Sequence, residues 1–222
     1  MSELKNKVII SLFLVILPSE LNGFYNQVLA GSPVLYWVCD IAAWIVIPAL
    51  VFVFLIRYSD INLNKLGLNL PCKSGKDALW FVFLCVLVFL VLYYGYTLTK
   101  SFAESVIGIN YFAVDFSYES LIPEGGFLGI LVLVYFSATA GIVEEIYYRG
   151  IFRLLFGESV LQKILYVMIS SVIFSSVQWE LGIYNLLPSF VFGLIASIYF
   201  VFQRNLYPLI LGHTVTNIIL FS

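Results

Sequence analysis

From Phe127 to Val143 the chain runs for seventeen residues without a charge, and then sets two carboxylates side by side. Similar charge-free apolar runs recur along its length. A helix that crosses a bilayer needs about 20 apolar residues, so these runs decide what the chain can fold into. A soluble domain could not hide so much apolar surface, because even a well-folded one leaves a large accessible shell. The 222 residues are 62% hydrophobic, 18% aromatic and only 11% charged, with a mean hydropathy of +1.01. The sequence is therefore read as all-α: a polytopic membrane helical bundle, one membrane-embedded domain over residues 1–222.

Seven apolar helices are expected, over about 7–22, 34–57, 77–99, 126–154, 161–178, 182–202 and 206–221. The first is short and contains Pro18, which suggests tilt or a partly interfacial position. Lys5 and Lys7 ahead of an apolar stretch resemble the start of a signal peptide. The best small-residue cleavage point, after Ala30, lies too far beyond that stretch, so the segment is read as retained. No repeat or low-complexity tract interrupts the chain.

Basic residues test this count independently. Alternating the loops from a cytoplasmic N-terminus puts Lys5, Lys7, Arg57, Lys65, Lys73, Lys76, Arg149, Arg153, Lys163 and Arg204 inside, and only Lys100 outside. The loop after Lys100 instead carries Glu104, Asp115, Glu119 and Glu124. That asymmetry is what the positive-inside rule asks of a multi-pass protein of the cell membrane. Nothing in the charge pattern points to nucleic acid. Cys39 and Cys85 read as small apolar residues, and Cys72 has no Cys or His near it in sequence that would make a zinc pattern.

Ionisable residues within spans are costly and usually face a bundle interior or a cavity. Glu144 and Glu145 fall roughly 12–14 Å along the helix from Arg153, at about 1.5 Å per residue. Glu145 and Arg149 stand four apart with the acid first, the favourable order for pairing along one helix. Glu144 points about 100° away and has no such partner. Ser137 and Gly141 repeat at four-residue intervals towards Glu145, a small-residue face that lets another helix approach. A lone Glu–Arg pair would be read as structural. A second, adjacent acid is better explained by chemistry, because its desolvation brings no evident local benefit.

The one histidine of the chain, His213, stands four residues before Asn217 in "LGHTVTN". The two share a helix face and can act on one object. A lone buried His is more often a packing residue, but the glutamates elsewhere reverse that weighting. A proton-relay transporter would more often show broken helices and an internal repeat, and neither is visible.

At this point the residues resemble a family. "EEIYYR" matches the Glu-Glu-x-x-x-Arg signature of the CPBP family, the CAAX prenyl proteases and bacteriocin-processing enzymes also called Abi proteins. "HTVTN" matches its His-x-x-x-Asn motif, and "LNKLGLNL" looks like its short Leu-Gly-Leu segment. The resemblance covers about residues 60 to 221. One element departs. Where the family has Phe-x-x-x-His, this chain has "FSSVQ", with Phe174 in place and Gln178 at the histidine's position.

The resemblance implies an intramembrane endopeptidase acting near the cytoplasmic side on a membrane-associated peptide or lipidated protein substrate. It implies Glu144 as general base, Glu145 and Arg149 as a supporting pair, His213 and Asn217 as the oxyanion site, and Gln178 in the water-orienting position. An amide holds a water but takes no proton at neutral pH, so the base role rests on Glu144. No cofactor is expected. Zinc sites generally present three protein ligands, mainly His with a carboxylate or Cys, and a single His, two Glu and an amide fit that poorly. The alternative is a pseudoprotease kept as membrane scaffold or immunity factor. On geometry, Gln178 lies about 22 Å along its helix from Lys163, deeper than Glu144 measured from the same side.

Overall fold

The computed structural model describes residues 2–29, 31–59, 61–70, 74–111, 113, 121–123 and 125–222. Ala30, Cys72, Lys73, Asp115, Glu119 and Glu124 lie outside the described residues. Among the described residues all regular structure is helical, as the sequence implies for a bundle in lipid, where a helix satisfies its own backbone.

Helix α1 (Ser2–Glu20) runs straight through Pro18, which sits in its last turn. A short α2 (Asn22–Leu29) follows. The next span is built in three parts: α3 (Pro33–Ile41), a π-helical segment (Ala42–Val46) and α4 (Ile47–Tyr58). Helix α5 (Gly75–Val106) is longer than the apolar pattern suggested, because its final turns continue past Lys100 as a polar extension. Helix α6 (Gly126–Glu144) passes directly into a second π segment (Glu145–Ile151). Helix α7 (Val160–Ser176) ends in a turn and a short 3₁₀ segment (Trp179–Leu181). Helices α8 (Ile183–Gln203) and α9 (Tyr207–Phe221) complete the chain.

Five stretches are long and apolar enough to cross a bilayer: Glu3–Phe24, Pro33–Tyr58, Gly75–Val106, Gly126–Ile151 and Ile183–Gln203. Helices α7 and α9 are apolar but shorter. In the packing α7 lies on α8, α8 on α5, and α9 between α5 and α6, while α7 keeps an exposed apolar face of Leu161, Ile164, Met168 and Val172. Large apolar side chains such as Phe13, Leu50, Leu79, Phe83 and Leu128 remain exposed on the outside of the bundle. In water such a belt would be untenable, and in a bilayer it is the lipid-facing surface. The chain is a multi-pass membrane protein.

Each end of the bundle is tied by its own contacts. At one end Lys7 Nζ donates to Tyr58 O at 2.9 Å, and Leu206 N donates to Gly67 O at 2.9 Å. At that end Glu158 also gathers Arg153 at 3.1 Å, Arg204 at 2.5 Å and Lys163 at 3.4 Å. At the opposite end Ser176 Oγ donates to Glu20 Oε1 at 2.6 Å and Trp179 Nε1 to Glu20 O at 2.9 Å. Tyr184 Oη donates there to Ile107 O at 2.6 Å.

Candidate active site

Helix α6 is pressed against α9 through the small-residue face that the sequence shows. Ser137 is fully buried, and a Cβ added at Gly141 would stand 3.1 Å from both Ile210 O and Thr214 N. The backbone of α9 therefore passes directly beside Gly141. This close approach sets His213, one residue before Thr214, against the end of α6.

Just there the α-helical register gives way to π. Glu144 is the last residue of the α-helical stretch and Glu145 the first of the π segment. A π turn is an unusual feature, frequent at functional sites. The last carbonyls of this helix are met from α7, where Ser170 Oγ donates to Tyr148 O at 2.7 Å and Tyr166 Oη to Arg149 O at 3.4 Å. Arg149 O also accepts from the Phe152 amide, so these hydroxyls tie α7 to the π segment from inside the bundle.

The two glutamates are both buried and do different things. Glu145 uses both of its oxygens. Oε2 lies 3.3 Å from Arg149 Nε, with both side chains wholly buried, as the i,i+4 spacing predicts. Oε1 lies 2.8 Å from His213 Nδ1, a contact that the sequence does not announce. Glu144 faces the other nitrogen of the same ring, with Oε2 at 3.6 Å from His213 Nε2.

Aromatic rings fix this cluster. His213 packs on Phe192 at 4.6 Å and on Phe174 at 5.9 Å between ring centroids. Phe174 also stacks on Phe192 at 5.6 Å, and the Arg149 guanidinium lies 4.1 Å over its centre. The Phe of "FSSVQ" is thus the plate that separates the buried cation from the histidine.

A cavity of about 200 Å³ runs down to these residues. Glu144, Gln178, His213 and Asn217 all line it, while Glu145 and Arg149 lie behind the wall. Gln178 belongs to the turn after α7 and not to the helix itself. Its greater depth along the sequence pattern does not keep it from Glu144, since both line the same cavity.

Three acidic or basic side chains of this cavity escaped the sequence reading of the site. Asp40 is 5% exposed, lines the cavity, and accepts from Tyr135 Oη at 2.5 Å and Tyr36 Oη at 3.5 Å. Its signal was present, because it is the one acidic residue in the span Pro33–Tyr58. Glu180 is 1% exposed in the 3₁₀ turn after Gln178 and also lines the cavity. It stood in what reads as a loop, where an acid carries no information. Lys100, the one basic residue that the charge count leaves on the acidic side, lies on the cavity's edge.

Residues 126–219 match the family model described as type II CAAX prenyl endopeptidase, Rce1-like. The match bears out the resemblance, and Glu144, Glu145, Arg149, Gln178, His213 and Asn217 all fall within it. The Leu-Gly-Leu segment at Leu66–Leu68 lies before it. No curated protein and no solved structure gives a match.

Proposed function

Residues 126–219 make up an Rce1-like region of the type II CAAX prenyl endopeptidase kind, and on that premise we propose that this chain is an intramembrane endopeptidase. The observation that carries the reading is convergence. Glu144, Gln178, His213 and Asn217 come from two helices and a turn, and all face one cavity within a membrane bundle. The substrate is a membrane-associated peptide or lipidated protein.

In this reading Glu144 takes a proton from a water as the water oxygen adds to the scissile carbonyl carbon. Negative charge collects on the carbonyl oxygen. His213 Nε2–H and the Asn217 amide donate to it, the kind of preorganised stabilisation that outweighs most other catalytic effects. The proton held by Glu144 then passes to the leaving nitrogen as the C–N bond breaks. In this reading both ring nitrogens of His213 carry a proton: Nδ1–H donates to Glu145, which fixes the ring so that Nε2–H is presented to the cavity. Gln178 holds the water through its amide without taking the proton.

We read this hydrolysis as independent of metal. Both nitrogens of the one histidine already face carboxylates. Among the described residues no group of three or more His, Cys, Asp or Glu side chains is arranged to hold a metal ion.

The second reading is a scaffold or immunity factor with an impaired site, and Gln178 is the observation that favours it. Purified protein in proteoliposomes, offered a prenylated peptide and a leader-bearing peptide precursor, separates the two. Cleavage by wild type that is lost in Glu144→Gln, with unchanged thermal unfolding, supports the peptidase. Failure of wild type and of Gln178→His on both substrates supports the scaffold.

A further inference from the structure

The residues that line the cavity are not spread evenly through the membrane. Along α5, α8 and α9 they occupy one half of the helix, and along α6 they lie near the middle of the Gly126–Ile151 span and stop at Glu144. From α6 they are Phe136, Thr139, Ala140 and Glu144, and none from Glu145 onward. From α8 they are Asn185, Ser189 and Phe192, and none from the second half of that helix. Helix α9 runs the opposite way and contributes from His213 onward to Phe221. The Gln178–Leu181 turn, Lys100 near the end of α5 and Asn22 after α1 complete one rim. This rim lies at the end tied together by Glu20, Ser176 and Trp179.

The other end is sealed. Below Glu144 the π segment buries Tyr147, Tyr148, Arg149 and Ile151 completely or nearly so. Tyr147 Oη donates to Pro48 O at 2.6 Å. A Cβ at Gly150 would stand 3.0 Å from Leu66 O and from Leu206 Cδ1, so the loop containing Leu66 closes over this floor. Leu66, Leu206 and Leu209 are wholly buried beneath it.

That sealed end carries the basic residues. Lys5, Lys7, Arg57, Lys65, Lys76, Arg153, Lys163 and Arg204 all lie there among the described residues, and the positive-inside rule makes it cytoplasmic. We propose that the cavity opens on the opposite, extracytoplasmic face, so that its substrates are peptide segments that reach Glu144 from that side. The inference rests on the peptidase reading for its substrate, and on cavity direction alone for its side. It also turns the access side away from the one that Glu144's position along α6 suggested.

Thiol accessibility tests this without requiring catalysis. Cys39, Cys72 and Cys85 are first replaced by Ala. Thr139→Cys then reports the cavity interior, Leu181→Cys its rim, and Glu158→Cys the basic end. Each is treated with a small, membrane-impermeant cationic methanethiosulfonate, in intact cells and in inverted vesicles. The expected result is that Thr139→Cys and Leu181→Cys react at least tenfold faster in intact cells, and Glu158→Cys at least tenfold faster in inverted vesicles. Thr139→Cys reacting from the same side as Glu158→Cys overturns the proposal, as does reaction from neither side while Leu181→Cys is labelled. Should Thr139→Cys fail to fold, Ser189→Cys on α8 replaces it with the same two outcomes. An inactive but correctly labelled protein would sink the peptidase reading and leave the access side standing.

Discussion

Nδ1 of His213 lies 2.8 Å from Oε1 of Glu145 across 68 residues of sequence, and both side chains are buried. The same carboxylate reaches Arg149 with its other oxygen at 3.3 Å. Glu145 is therefore a bridge between a buried cation and the histidine of the cavity. Its neighbour Glu144 faces open space. The doubled glutamate divides into one group paired behind the wall and one that lines the cavity, the division on which the proposed roles of the two rest.

That division predicts different losses for the two amides. In Glu145→Gln the Arg149 charge has no counter-charge, and breaking a buried pair typically costs roughly 3–5 kcal/mol. In Glu144→Gln a buried charge is removed and little else changes. Thermal unfolding in detergent should show Glu145→Gln well below wild type and Glu144→Gln near it or above. Equal melting temperatures would show that Glu145 does not compensate Arg149.

Arg149 has a second support. None of its guanidinium nitrogens makes a hydrogen bond among the described residues, and its Cζ lies 4.1 Å from the centre of the Phe174 ring. A desolvated cation–π contact is worth about 2 kcal/mol. Arg149→Lys keeps the charge but loses the guanidinium over the ring, so it should recover only part of the stability lost in Arg149→Ala. Phe174→Leu should lower stability in wild type more than in Arg149→Ala. A double-mutant cycle measures the coupling directly, and additivity within about 0.5 kcal/mol would exclude it.

The basic end holds a carboxylate whose charge matters to the packing of its loops. Burial alone would raise the Glu158 carboxyl, but Arg204, Arg153 and Lys163 outweigh it and hold its pKa below the ordinary value. A depressed carboxyl contributes stability that is full above its unfolded pKa of about 4.3 and lost as pH falls through the folded value. Glu158→Gln should therefore melt below wild type at pH 7, and the gap should close as pH drops under about 4. A gap that persists undiminished at low pH would mean that the charge is not what holds these loops.

Much of this arrangement could be seen before folding. The apolar runs gave most of the helices to within a few residues, since hydropathy and the bilayer impose length directly, but α1 starts earlier, α5 runs on to Val106 and the short α2 was not foreseen. The Ser137 and Gly141 face foretold a close helix neighbour, and the spacing of Glu145 and Arg149 foretold their pair. What stayed hidden depends on contacts between distant segments. No local pattern says that Glu145 holds His213, because that bond needs α9 to lie on α6. The π segments at Ala42–Val46 and Glu145–Ile151 have no sequence signature of their own. Asp40 could have been noticed as an acid in a span. Its tyrosine partners and its place in the same cavity could not.

Charge asymmetry yields a simple topological expectation. A reporter fused after Leu70, at the end that carries the basic residues, should read as cytoplasmic. One placed near Tyr111, beside the turn where Tyr111 O accepts from Ile183 N at 2.9 Å, should read as exterior. The same side for both would break the alternation on which the orientation rests.

The site's one departure from the pattern that it resembles provides the sharpest test of what the chain does. Gln178 lies on the cavity with Glu144, His213 and Asn217, where an amide can hold a water but not deprotonate it. If Glu144 works alone as base, Gln178→His adds a second proton acceptor to the same space. General acid–base groups contribute typically 10²–10⁴-fold, so a rise of at least tenfold in kcat is expected. Glu144→Gln should abolish cleavage in both backgrounds, because an added imidazole helps the carboxylate and does not replace it. His213→Ala should lose roughly 10²–10³ in rate with the loss of an oxyanion donor. A Gln178→His protein that folds, keeps its melting temperature and shows no gain would mean that this turn does not reach the reacting water. Gln178→His activity that survives Glu144→Gln would move the base role from Glu144 to the new histidine.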